Sequence, residues 1–114
     1  MVEPDNLEQL ISKLRPLFEK YGILKAVVFG SLARGEPSRR SDLDLMLVQE
    51  TDKRFLDRYK GILGELTDVV RGRDVDLLIY TPAELASMSE RRFMQTILKE
   101  GVVIYESQRQ SISS

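Results

Sequence analysis

The chain has 114 residues, 42% of them hydrophobic and 31% charged, with a formal net charge of -1. That suits one soluble domain with a single core and leaves too little positive charge to coat a nucleic acid unaided. With neither cysteine nor histidine, disulfides, zinc-thiolate sites, cysteine nucleophiles and histidine-based triads are all excluded. Chemistry is left to carboxylates, Lys, Arg, Ser, Thr, Tyr, backbone groups and bound metal. No basic-then-apolar leader opens the chain, no apolar run nears the ~20 residues of a membrane span, and the expected location is cytoplasmic.

Leu7, Leu10, Ile11, Leu14, Leu17, Phe18 and Tyr21 have helical spacing, so residues 5–21 predict a core-packing helix. Asp5 or Asn6 can cap its start and Gly22 can end it. Pro16 lies inside the pattern, where a kink or a restarted turn is expected. Leu24 to Phe29 reads as a buried strand and Leu43 to Val48 as the next. Between them stand Gly30-Ser31, a small-residue turn with Ala33, Arg34 and Gly35, and a polar, basic connection from Glu36 to Arg40.

From Lys53 to Val70 the three-four spacing of Phe55, Leu56, Tyr59, Ile62, Leu63, Leu66, Val69 and Val70 predicts one helix. Thr51 or Asp52 would cap it and Arg71-Gly72 would end it. Gly61 and Gly64 each weaken it by ~1 kcal/mol relative to Ala. Val75 to Tyr80 is a third strand. Thr81-Pro82-Ala83-Glu84 is a capping box with proline at the first helical position. A short helix follows, then a longer one starting near Ser87–Glu90, ending near Glu100 and closed by Gly101. Val102 to Tyr105 is a last strand. Residues 1–106 form the expected domain and 107–114 a disordered tail. Interleaved helices and strands predict an α/β (α+β) architecture, a mixed sheet packed with helices.

The acids carry the chemical signal. Asp42 and Asp44, two residues apart at a strand start, share a face, where they repel unless a cation intervenes. Asp76 stands between Val75 and Leu77, where an uncompensated charge would be costly. A third strand beside the second would bring it to the pair. Oxygen-only ligands suit magnesium bound with substrate phosphates. A pair of such ions can stabilise both the attacking and the leaving oxygen of an in-line displacement. Gly30 lets backbone approach a phosphate, to which the following N–H groups and the Ser31 hydroxyl can donate. Arg34, Arg39 and Arg40 can reach further oxygens. Taken singly, an Asp-x-Asp, a Gly-Ser turn or an Arg-Arg pair is more often a strand end, a plain turn or a solvated loop, and Asp74 reads as a turn residue. Their combination favours chemistry. Ser31 as a nucleophile is disfavoured, with no histidine to activate it.

G-S-L-A-R-G followed by S-D-L-D-L resembles the signature of the DNA polymerase beta-like nucleotidyltransferases, and the small size points to the minimal nucleotidyltransferases of bacteria and archaea. The resemblance spans Leu7 to Glu106 and includes V-D-L-L around Asp76, a shorter and less specific match. At Leu32 such proteins often carry arginine, so one phosphate contact is missing. The resemblance implies the polymerase beta-like fold and transfer of a nucleoside monophosphate, AMP from ATP, to a hydroxyl. Asp42, Asp44 and Asp76 would be the catalytic carboxylates and hold two Mg2+ ions. Gly30, Ser31, Arg34 and Ser41 would bind the nucleotide. It further implies an antitoxin paired with a helical HEPN toxin that carries the acceptor hydroxyl. Two alternatives stand beside this reading: an antitoxin acting by contact with a vestigial site, and the catalytic subunit of a small-molecule adenylyltransferase. Nucleic acid is not expected as a direct partner, a homo-oligomer remains open, and all three acids being present favours the enzyme.

Overall fold

The computed structural model describes residues 7–30, 33, 42–70 and 74–107. The first helix, α1, is Leu7–Lys20. It is one continuous helix through Pro16, so of the kink or restarted turn expected there the restart is absent. Leu14, Leu17 and Phe18 are buried on either side of the proline. Burial at roughly 1.5–3 kcal/mol per large apolar side chain outweighs the ~3 kcal/mol that an internal proline costs.

Among the described residues four strands form one sheet. They are β1 (Ile23–Phe29), β2 (Leu43–Gln49), β3 (Val75–Tyr80) and β4 (Val102–Glu106), in the order β3-β2-β1-β4. β1 pairs antiparallel with β2 and β4, and β2 pairs parallel with β3, so the sheet is mixed as expected. β2 is central and covered on both faces: Leu43, Leu45, Met46, Leu47 and Val48 are all buried. Such a strand reads as a nearly continuous apolar run; Asp44 interrupts it near its start, and Asp42 immediately precedes it.

The alternation of side chains sorts the core into two layers. Ala26, Val28, Leu43, Leu45, Leu47 and Ile79 face α1 and the second helix, α2 (Ile62–Val69). Val27, Met46 and Leu78 point the other way, with Met94 and Ile97 of α4 (Arg92–Glu100) and Leu85 and Met88 of α3 (Pro82–Met88). The capping box at Thr81 is formed as the sequence predicts: Glu84 N–H donates to Thr81 Oγ1 at 3.1 Å, and Thr81 N–H to Glu84 Oε1 at 2.9 Å. α4 starts at Arg92, later than the expected Ser87–Glu90, and is closed by Gly101.

The single helix expected over 53–70 is instead two pieces, a 3-10 helix at Phe55–Tyr59 and then α2. Gly61 breaks it with φ +83, and a Cβ there would lie 2.9 Å from the Tyr21 hydroxyl oxygen. Arg58 fixes the first piece. Its guanidinium donates to the carbonyls of Lys53 and Ile79 and to both carboxylate oxygens of Glu84, at 2.7 and 3.0 Å. Phe55 and Leu56, counted among the core positions of the pattern, are exposed. The side chain of Thr51 accepts from Lys53 N–H without capping a helix, and the proposed stop at Arg71-Gly72 lies outside the described residues. At the far end Ser107 N–H donates to the Leu24 carbonyl at 2.8 Å, while residues 108–114 lie outside the described region.

Candidate active site

Three rungs of the sheet locate the site. On the α3/α4 face, Val27 of β1 is opposite Met46 of β2, and Met46 is in register with Leu78 of β3. This rung is covered: Val27 and Met46 are buried under α4. The next rung on the same face is Phe29–Asp44–Asp76, with Phe29 opposite Asp44 and Asp44 in register with Asp76. Here the cover ends. Phe29 and Asp44 are half-buried and Asp76 is exposed. Asp42 precedes β2 by one residue and is exposed too, beside Leu43, whose N–H donates to the Asp74 carbonyl at 2.9 Å.

The register therefore puts Asp76 on the strand next to Asp44 and on its face. The exposure of Asp76 corrects one premise of the sequence reading. It is not a buried charge requiring compensation, because β3 is an edge strand and the end of this face is open. Leu43, Leu45 and Leu47 turn away from the acids, as the alternation predicts.

Gly30 closes the rung from above. Its φ is +78, which disfavours any residue with a Cβ, and a Cβ placed there would collide with Asp44 Oδ2 and sit 3.0 Å from Asp44 Cγ. Glycine is thus required twice, for the turn and for the close approach of backbone to carboxylate. Ser31, Leu32, Arg34, Arg39, Arg40 and Ser41 lie outside the described residues.

The donor chemistry fits a hard divalent cation: the acids offer only oxygen, and the chain has no histidine or cysteine to recruit a softer metal. Among the described residues no three acid side chains gather closely enough to hold an ion by themselves. A magnesium ion here would take the rest of its oxygen shell from phosphate and water, which is how that ion is usually held.

Two aromatic residues that the sequence reading passed over border the rung. Phe29 is in the rung itself. Phe93, in the first turn of α4, meets it edge-on, with ring centroids 6.3 Å apart and planes at 90°. The available signal was in α4, where Met94 and Ile97 suffice for the buried stripe and leave Phe93 and Leu98 outside it.

A family model described as Polymerase beta, Nucleotidyltransferase matches residues 12–110. The chain belongs to this family. Among its nucleotidyltransferase relatives, a Methanocaldococcus jannaschii protein named "Putative protein adenylyltransferase" is 35% identical over 75 residues, 66% of this chain and 78% of the relative. A solved structure named as a "putative minimal nucleotidyltransferase" is 27% identical, with TM-score 0.64, over 89% of this chain and 95% of that one. A chain of the complex of a tri-AMPylated Shewanella oneidensis HEPN toxin with an MNT antitoxin matches at 17% identity and TM-score 0.61, over 93% of this chain and 77% of that one, a likeness of fold. The polymerase beta-like nucleotidyltransferase fold and the transferase class agree with the sequence reading. Among the described residues no helix is long and apolar enough to cross a membrane.

Proposed function

We propose that this nucleotidyltransferase transfers AMP from ATP to a hydroxyl on a partner protein, and that the partner is a HEPN toxin which it restrains. The observation that carries the reading is the in-register pair Asp44–Asp76 at the open end of the sheet, with Gly30 backbone pressed against Asp44. The names of the relatives give the direction: a protein adenylyltransferase, and an AMPylated toxin held by an antitoxin.

In this reading Asp42, Asp44 and Asp76 hold two Mg2+ ions, and Gly30, Ser31, Arg34 and Ser41 take the triphosphate. The ions neutralise phosphate charge when bound. The acceptor oxygen forms a bond to the α-phosphorus, the α–β anhydride bond breaks, and pyrophosphate leaves with the electron pair. Asp76 takes the proton of the acceptor. Its place suits that role, because it is exposed on the edge strand, where a hydroxyl borne by another protein can approach. Docking supplies the orientation on which the rate depends.

The test is incubation of the protein with α-labelled ATP, magnesium and its co-purified partner. Label is expected on a hydroxyl of the partner with the native protein and none with Asp44→Asn, whose circular dichroism should match the native spectrum. A tight complex that never acquires label would replace this reading with an antitoxin acting by contact. Efficient labelling of a free small alcohol, with no partner retained, would replace it with a small-molecule adenylyltransferase.

A further inference from the structure

Phe93, at the start of α4, lies outside the buried stripe of its helix. Its neighbour Met94 is buried and anchors the first turn of α4 to the sheet, whereas Phe93 is 51% exposed. It does not drift on the surface. The Phe29 ring, packed against the second core layer, meets it edge-on at 90°. An edge-on contact holds a ring in a fixed plane and leaves a π-face uncovered by that partner. Phe29 is directly opposite Asp44. The Phe93 ring is therefore one ring contact and one strand spacing away from Asp44.

We infer that Phe93 is the platform on which the base of the bound nucleotide stacks, with Phe29 as the buttress that orients it. The inference rests on the reading of the Asp44–Asp76 end as the triphosphate site. With the α-phosphate at the acids, the base lies one ribose away from them, a reach that spans the Phe29–Phe93 contact. Stacking accepts any base, since every base presents a π-face, and favours purines through their larger area. The contact adds to affinity and fixes the direction of the nucleoside, while the acids and the Gly30 turn hold the phosphates.

Calorimetric titration separates the two ends of the nucleotide. ATP and inorganic tripolyphosphate, each with magnesium, are titrated into the native protein, Phe93→Ala, Phe93→Trp, Asp44→Asn and Leu98→Ala. Phe93→Ala is expected to weaken ATP about tenfold, within the range that loss of a base–aromatic stack produces, and to leave tripolyphosphate unchanged. Phe93→Trp should retain ATP affinity. The chain has no other tryptophan, so its fluorescence should be quenched by ATP and not by tripolyphosphate. Leu98→Ala, which removes a comparably exposed side chain of the same helix (56%), should alter neither ligand. If Asp44→Asn disturbs tripolyphosphate binding while Phe93→Ala leaves ATP unchanged, the phosphate site stands and the platform falls. Equal weakening of both ligands by Phe93→Ala also overturns it, as a general defect. If neither ligand binds the native protein, the nucleotide-site reading fails and the platform with it.

Discussion

Gly30 shows how closely one residue ties the backbone to the candidate chemistry. The turn after β1 needs a positive φ, and the space a Cβ would take is occupied by the Asp44 carboxylate. Gly30→Ala meets both obstacles. An L-residue in that backbone region costs about 1–2 kcal/mol, and the added methyl pushes Asp44 out of its rung. The expected result is a lower urea midpoint by about that energy, together with loss of nucleotide transfer well beyond what the unfolded fraction explains. Equilibrium unfolding and a labelled-ATP assay on the same preparation report the two effects separately. A variant that melts earlier but transfers normally would show that the exact position of Asp44 is unimportant.

Among the elements, the segment between β2 and β3 is the most instructive. Its two glycines look alike in sequence, and the fold separates them. Gly61 sits at φ +83 against Tyr21, whose hydroxyl donates to Glu65 at 2.6 Å, so Gly61→Ala should destabilise. Gly64 lies inside α2 with nothing within 4 Å of a would-be Cβ, so Gly64→Ala should stabilise by about 0.4–1 kcal/mol. Thermal melts of the two variants should move in opposite directions. The same segment is tied to α3 by Arg58 and Glu84. The hydrogen bonds from Arg58, aided by the Thr81 N–H, lower the Glu84 pKa from its usual 4.5 to about 2. A carboxylate whose folded pKa is depressed contributes stability above its unfolded pKa and loses it as pH falls through the folded one. Stability from this group should therefore decline between about pH 4.5 and 2. Glu84→Gln keeps an acceptor for the cap but removes the charge, and should flatten that part of a urea-midpoint profile against pH.

For the whole molecule, the core and the candidate site occupy different parts of the sheet. The two core layers contain none of the acids, which lie beyond the covered rungs, at the open end. Chelation with EDTA should abolish transfer while leaving the melting temperature of the nucleotide-free protein within a degree or so. Magnesium-ATP should raise it, because a ligand at a hundred times its Kd adds about 2.7 kcal/mol to the folded state. Magnesium without ATP should raise it little, since the shell around the ion needs phosphate oxygens. Scanning calorimetry under the four conditions distinguishes these cases, and a large EDTA effect on the free protein would reveal a structural metal instead.

The strands, the helix at residues 7–20, the capping box at Thr81 and the pairing of apolar and acidic faces in β2 were all readable in the chain. Each depends on neighbours within a few positions, where periodicity and capping chemistry act directly. The acidic motif and its family resemblance were readable for the same reason. Tertiary structure decided the remainder, because the deciding contacts join residues distant in sequence. Tyr21 meets Gly61, and Arg58 meets Glu84, so the apparent single helix divides although its apolar spacing runs on. Proline 16 stays helical because burial on the sheet exceeds its local cost. Asp76 comes to Asp44 because β3 adds parallel to β2, and it is exposed on what is, among the described residues, an edge strand. Phe93 meets Phe29 because α4 crosses the same face of the sheet. Local rules specify the elements and the kind of chemistry they carry; only long-range packing determines which side chains share a rung and which of them face solvent.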